Sequence, residues 1–118
     1  MKYACLVYAE EGTMLALSPT EGSRLTNDSI DYDAELRERG HMVAAQALQS
    51  PSTAVTLRVR NGKVSSTDGP FAETKEFLAG FILVEARDLN EAIQIAAGIP
   101  MARVGTIEVR PIMELTRS

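Results

Sequence analysis

Thr67-Asp68-Gly69-Pro70-Phe71-Ala72-Glu73-Thr74-Lys75-Glu76 separates two strand-like segments. It crowds a carboxylate, two backbone punctuators, an aromatic ring and an alternating charge cluster into one connection. A plain loop between strands needs only about 2–6 mostly polar residues, so this one reads as a segment built to hold a shape. Just upstream, Val55, Leu57 and Val59 alternate with Thr56, Arg58 and Arg60, and Asn61-Gly62 follows. Alternation ending in Asn-Gly is a strong hairpin signal, and Lys63 to Ser66 forms the returning arm. Just downstream, Leu78 to Ala86 reads as a further strand, with Gly80 near its start.

Farther out, the same punctuation marks the remaining elements. Tyr3 to Ala9 is a short run of strand formers. Ser18-Pro19-Thr20-Glu21 can cap a helix start reciprocally, with proline at the first helical position. Leu25, Ser29, Tyr32 and Leu36 then follow at helical spacing, and Gly40 supplies a stop, so a helix is predicted over about residues 19–39. Gly22 weakens its first turn. Met42 to Leu48 reads as a strand broken by Pro51. Asp88-Leu89-Asn90-Glu91 opens a second helix, which Gly98 and Pro100 end, and Gly105 to Met113 is the last strand. The order is β-α-β-(hairpin)-β-α-β. The expected class is α+β: a ferredoxin-like βαββαβ domain with an inserted β-hairpin, spanning residues 1–118 as one domain.

Two helices cover one face of a four-stranded sheet. The first strand is nonetheless apolar on both faces, with Tyr3, Cys5 and Val7 on one and Ala4, Leu6 and Tyr8 on the other. The strand at Phe81 to Val84 behaves the same way. Soluble monomers rarely leave an apolar patch of several hundred Å² exposed, so a homodimer packed sheet to sheet is expected. The alternative cover for that face is the hairpin.

Composition limits the function. A chain of 118 residues with 45% hydrophobic and 24% charged residues is ordinary for a globular domain. A net charge of -4, with no basic run, argues against nucleic acid. No apolar run is long enough for a membrane span and there is no signal-peptide layout. One cysteine excludes an internal disulfide and fits a reducing cytoplasm, the expected location. One cysteine and one histidine are too few for a transition-metal site, and no cofactor is expected.

Asp68 is the leading site residue. A carboxylate in a desolvated pocket has a raised pKa and can act as a general base; the same side chain can instead bond nearby backbone N–H groups and fix a turn. Glu73 can sit beside it as a second carboxylate, or simply lie on a solvated charged face with Lys75 and Glu76. Phe71 either anchors the loop in the core or lines a pocket. His41, the one histidine, sits at a strand start where it can reach a pocket mouth. Tyr8 ends the first strand on the expected dimer face, where its phenol can bond a ligand. Cys5 is expected to be an inert buried thiol.

With Asp68-Gly69-Pro70-Phe71 at its centre, the chain resembles the YCII-related proteins, in particular their DGPF-domain branch. The resemblance takes in Val59 to Val64, Thr67 to Glu76, Gly80-Phe81, Asp88 to Ala92, and Gly105 to Pro111. It implies a ferredoxin-like protomer that pairs sheet to sheet into a dimeric α/β barrel. Related barrels include small isomerases and monooxygenases as well as proteins with no known reaction. It also implies a bacterial, regulatory setting, because DGPF-domain proteins are often linked to extracytoplasmic-function sigma factors. Shorter relatives carry a proposed His–Asp dyad, with the histidine on the first helix and the aspartate before a proline after the second. Here that helix has no histidine and the pair reads Ile99-Pro100, so the dyad does not carry over. Two functions are expected in turn. The first is binding of an unknown small molecule near the Asp68 loop, with proton transfer or hydrolysis. The second is a non-enzymatic regulatory or protein-interaction module.

Overall fold

The computed structural model describes residues 1–117. Strand β1 runs from Lys2 to Glu10, and a short helix α1 (Glu11–Leu15) leads to the long helix α2 (Pro19–Glu38). Then come β2 (Met42–Ala47), β3 (Val55–Arg60), β4 (Lys63–Asp68), β5 (Glu76–Glu85), α3 (Leu89–Ala97) and β6 (Thr106–Pro111). One turn of 3-10 helix precedes β3, at Pro51–Thr53, and another precedes β6, at Pro100–Arg103. The class is mixed α+β with antiparallel sheets. Helix α1 was not expected, because it is too short to show a helical period.

The central sheet has the order β2-β5-β1-β6 and is antiparallel throughout, which fits a ferredoxin-like plan. Tyr3, Cys5, Val7 and Ala9 point to one face of it, with Ile82 and Val84 beside them. Leu36 from α2 and Ala92, Ile95 and Ala96 from α3 pack onto that face and complete the core. Helix starts are fixed as the sequence predicts. Ser18 Oγ accepts from the Glu21 N–H while Glu21 Oε1 accepts from the Ser18 N–H, both at 3.1 Å. At α3, Asp88 Oδ1 accepts from the Glu91 N–H at 2.9 Å.

The opposite face carries Ala4, Leu6 and Tyr8 from β1 beside Leu78, Phe81 and Leu83 from β5. Leu78 is 38% exposed and the others are half-buried. β3 and β4 form a separate two-stranded ribbon, turned by Asn61 (φ 52°) and Gly62 (φ 73°). Consecutive positive φ angles are what a tight two-residue turn requires. β4 extends to Asp68, opposite Val55, so the first residue of the Asp-Gly-Pro-Phe motif is paired within a strand. β5 begins at Glu76, two residues earlier than the apolar pattern suggests. The free loop is therefore short and held at both ends.

Candidate functional site

A broad cleft lies between the first half of α2 and the sheet. Its volume is about 1140 Å³, and its origin can be read along one stripe of α2. Residues 22, 25, 29, 33 and 36 follow one another at spacings of three and four, the seam a helix turns toward a neighbour. At the C-terminal end of that seam Leu36 is fully buried, and Tyr32 packs beside it. Toward the N-terminus the half-buried seam is Gly22, Leu25, Ser29 and Asp33, with Leu25 its one large apolar side chain. These side chains cannot fill the space that a leucine row would fill. The helix is packed at one end and stands off the sheet at the other.

The floor of the cleft is apolar, formed by Val7, Ala9, Phe77, Ala79 and Ile82. Ile99, Pro100 and Met101 make its far wall. That wall is tied to α2 by Arg103, whose guanidinium donates to Asp28 Oδ2 at 2.9 Å and to the Pro100 carbonyl at 3.2 Å. The Ser29 hydroxyl donates to the Leu25 carbonyl at 2.8 Å and is satisfied within its own helix. Asp33 is the one ionisable side chain among the described residues that line the cleft. Burial pushes its carboxyl above the ordinary aspartate value, with the Arg37 guanidinium pulling partly back. Burial also raises the Tyr32 phenol, whose hydroxyl donates to the Ile95 carbonyl at 2.7 Å. The arrangement suits a largely apolar molecule with a polar end: the floor removes apolar surface from water, and the carboxyl accepts hydrogen bonds. An anionic ligand would be repelled by the same carboxyl.

The residues singled out from sequence lie elsewhere. Asp68, Phe71 and Glu73 are exposed on the ribbon end and loop, and Phe71 is 79% exposed. The turn is fixed by backbone rather than by the Asp68 carboxylate. The Gly69 N–H donates to the Ala54 carbonyl at 2.6 Å, and the Gly69 carbonyl accepts from Thr56 Oγ1 at 2.8 Å. Gly69 has φ 99°, a conformation open to glycine. His41 is stitched between elements: its N–H donates to the Leu36 carbonyl and its Nδ1 lies 2.8 Å from the Glu85 carbonyl. Because a carbonyl only accepts, that ring nitrogen carries the proton. Tyr8 is half-buried on the open face of the sheet, opposite Leu78 and Thr106. None of these five lines the cleft. The motif reaches it indirectly, because Glu76 opens the strand whose next residue, Phe77, belongs to the cleft floor.

Among the described residues no helix is long and apolar enough to cross a membrane. No cluster of three or more potential ligands that could hold a metal occurs among them either. Comparison with known proteins places this geometry in a family. The YCII-related domain description matches residues 1–116. A protein of Rhizobium meliloti (strain 1021), described only as uncharacterised, is 37% identical over 114 residues, covering 95% of this chain and 92% of the relative. The chain belongs to the YCII-related family.

Proposed function

We propose that this chain is a small-molecule-binding protein that works as a homodimer, with the ligand held in the cleft between α2 and the sheet. The cleft carries the reading: an apolar floor, one partly buried carboxyl, and a helix seam where Gly22, Ser29 and Asp33 leave Leu25 as the one large apolar side chain. Small-molecule sites are concave and mostly apolar with a few placed polar groups. The ligand class that fits is a neutral or cationic, largely apolar molecule with a hydrogen-bonding end. Where proton transfer or hydrolysis takes place, Asp33 is the better-placed carboxyl, since it alone gains from burial. Asp68 acts as a general base only if a second surface closes over its loop. The dimer reading, a dimeric α/β barrel of the DGPF branch, rests on the second apolar face of the sheet.

The test is a small-molecule thermal-shift screen run in parallel on the native chain and on Gly22→Leu, which places a side chain in the cleft. Binding raises the melting temperature by mass action. Compounds that stabilise the native chain but not Gly22→Leu support the site. Equal shifts in both proteins, or none across neutral and cationic apolar compounds, reject it.

A non-enzymatic module in a regulatory circuit, including sigma-factor regulation, is the second reading. The β3–β4 ribbon favours it, because it presents aliphatic side chains to solvent.

A further inference from the structure

The β3–β4 ribbon has two unlike faces. Antiparallel partners share a face, so the Val55–Asp68, Leu57–Ser66 and Val59–Val64 pairs form one side. Thr56–Thr67, Arg58–Ser65 and Arg60–Lys63 form the other. One side carries four aliphatic residues, with Ser66 and Asp68 on its β4 edge, and the other is hydroxyl-bearing and cationic. On the aliphatic side Val55 is 65% exposed, Leu57 61%, Val59 53% and Val64 67%. The ribbon joins neither edge of the central sheet. An isolated two-stranded ribbon is at best marginally stable in water; one with a bare aliphatic face is an unfinished packing unit.

The ribbon does not finish itself on its own protomer. The Cα radius of gyration is 16.4 Å, against about 13.5 Å for a compact chain of this length. The principal extents are 47 × 46 × 19 Å, so the protomer is a plate about one layer of helices and one sheet thick. Both the open sheet face and the ribbon's aliphatic face therefore await cover.

We infer that the ribbon is a clasping arm, whose aliphatic face lies on a second copy of this chain. The inference rests on the sheet-to-sheet pairing proposed above and names a further surface that the pairing uses. Area argues for it. Four strands about 4.8 Å apart, over about six residues at 3.3 Å each, give a footprint of roughly 400 Å². A stable interface takes about 800 Å² per partner, so the sheet face alone supplies about half. The arm covers roughly 200 Å² by the same spacing. An arm given and an arm received bring each protomer to the required range. A two-fold pair makes this exchange reciprocal without further parts. The faces also sort correctly: Arg58, Arg60 and Lys63 stay in water while the aliphatic row is covered.

The experiment is sedimentation equilibrium on three full-length proteins: the native chain, Leu57→Asp with Val64→Asp on the arm, and Leu83→Asp on the open sheet face. The native chain is expected to be a dimer, and the arm variant to raise its dissociation constant at least 30-fold with an unchanged far-ultraviolet circular dichroism spectrum. Hydrogen exchange on the native chain is the companion measurement, in case the arm variant misfolds. The β3–β4 amides should be protected as dimer and lose protection on dilution to monomer. A native monomer overturns both the pairing and the arm. A dimer weakened by Leu83→Asp but changed less than threefold by the arm variant overturns the arm alone. So does ribbon protection that is independent of concentration.

Discussion

Replacing Gly22 separates an open cleft from a closed helix–sheet contact. Gly22 sits in the first turns of α2, at the start of the half-buried seam, and a Cβ built there meets nothing within 4 Å. Its φ is not in the left-handed region, so alanine takes the backbone without strain. Glycine is about 0.8–1 kcal/mol less favourable than alanine inside a helix. With no clash to offset that gain, Gly22→Ala should stabilise the fold by nearly that amount. Unfolding entropy near 2.1 cal/mol/K per residue makes 1 kcal/mol worth about 4 °C for 118 residues. Gly22→Ala should therefore raise the melting temperature by about 3–4 °C. Gly22→Leu should raise it by about 3 °C, since leucine trails alanine only slightly in helix propensity.

The second half of the prediction concerns the cleft. Leucine at 22 occupies space that alanine leaves free. Binding of the neutral, largely apolar dye Nile red, followed by fluorescence, should weaken at least threefold in Gly22→Leu and stay within a factor of two in Gly22→Ala. Both melts and titrations use the same samples. A fall of more than 1 °C in either variant would show that α2 lies against the sheet at residue 22, and the cleft reasoning would fail. Unchanged dye binding in Gly22→Leu would put the dye-binding surface elsewhere, the open sheet face being the alternative.

Gly105→Ala should be strongly destabilising, because its Cβ would run into the Tyr8 backbone carbonyl on the neighbouring strand and no side chain can move aside; a loss at or beyond the upper end of about 1–3 kcal/mol by urea unfolding is expected. Cys5 is fully buried and burial pushes its thiol up to about 11 from 9.0. The native state thus holds its proton longer than the unfolded chain, so this stability is complete below about pH 9 and falls as pH rises from there to about 11, by roughly 2–3 kcal/mol in all; urea midpoints across that range should decline, and a Cys5→Ala variant should decline less. Glu21 and Glu85 are held below the ordinary glutamate value, Glu21 by the Ser18 backbone N–H and Glu85 by the N-terminal ammonium; their contribution is present above about pH 4.5 and is lost on acidification. Asp68→Asn should leave stability within about 0.5 kcal/mol, as for other exposed substitutions, and leave dye binding in the cleft unchanged; a tenfold loss of binding would bring the motif loop into the site.

Local punctuation made most of the architecture legible. Ser18 with Glu21, and Asp88 with Glu91, mark helix starts through hydrogen bonds that close within one turn, and both are present. Asn61-Gly62 marks its turn because few other pairs accept two positive φ angles. The ends of β4 and β5 were less legible. Asp68 and Glu76 are paired in strands although neither is apolar, because register is passed on from Val55 and Glu10 across the ladder. Nothing in a local pattern of hydrophobicity carries that information.

The site was harder to read because the motif that looks most chemical is conspicuous for backbone reasons. Gly69 is needed for its φ, and its N–H and carbonyl anchor the turn to the start of β3. Once the backbone does that work, Asp68 is left without a local hydrogen-bonding task among the described residues, and its charge faces solvent. The cleft announces itself differently, through what is missing. Leu25, Ser29, Tyr32 and Leu36 suggest an ordinary amphipathic helix, but half-buried Gly22, Ser29 and Asp33 leave Leu25 as the one large apolar residue that the first half of its seam offers. A half-buried seam that carries an aspartate and a single leucine over three turns either loses stability to voids and polar burial or leaves room for a bound molecule. Asp33 favours the second case, because a carboxyl whose pKa is raised by burial is a standing cost to the empty fold and a hydrogen-bonding partner for a bound molecule.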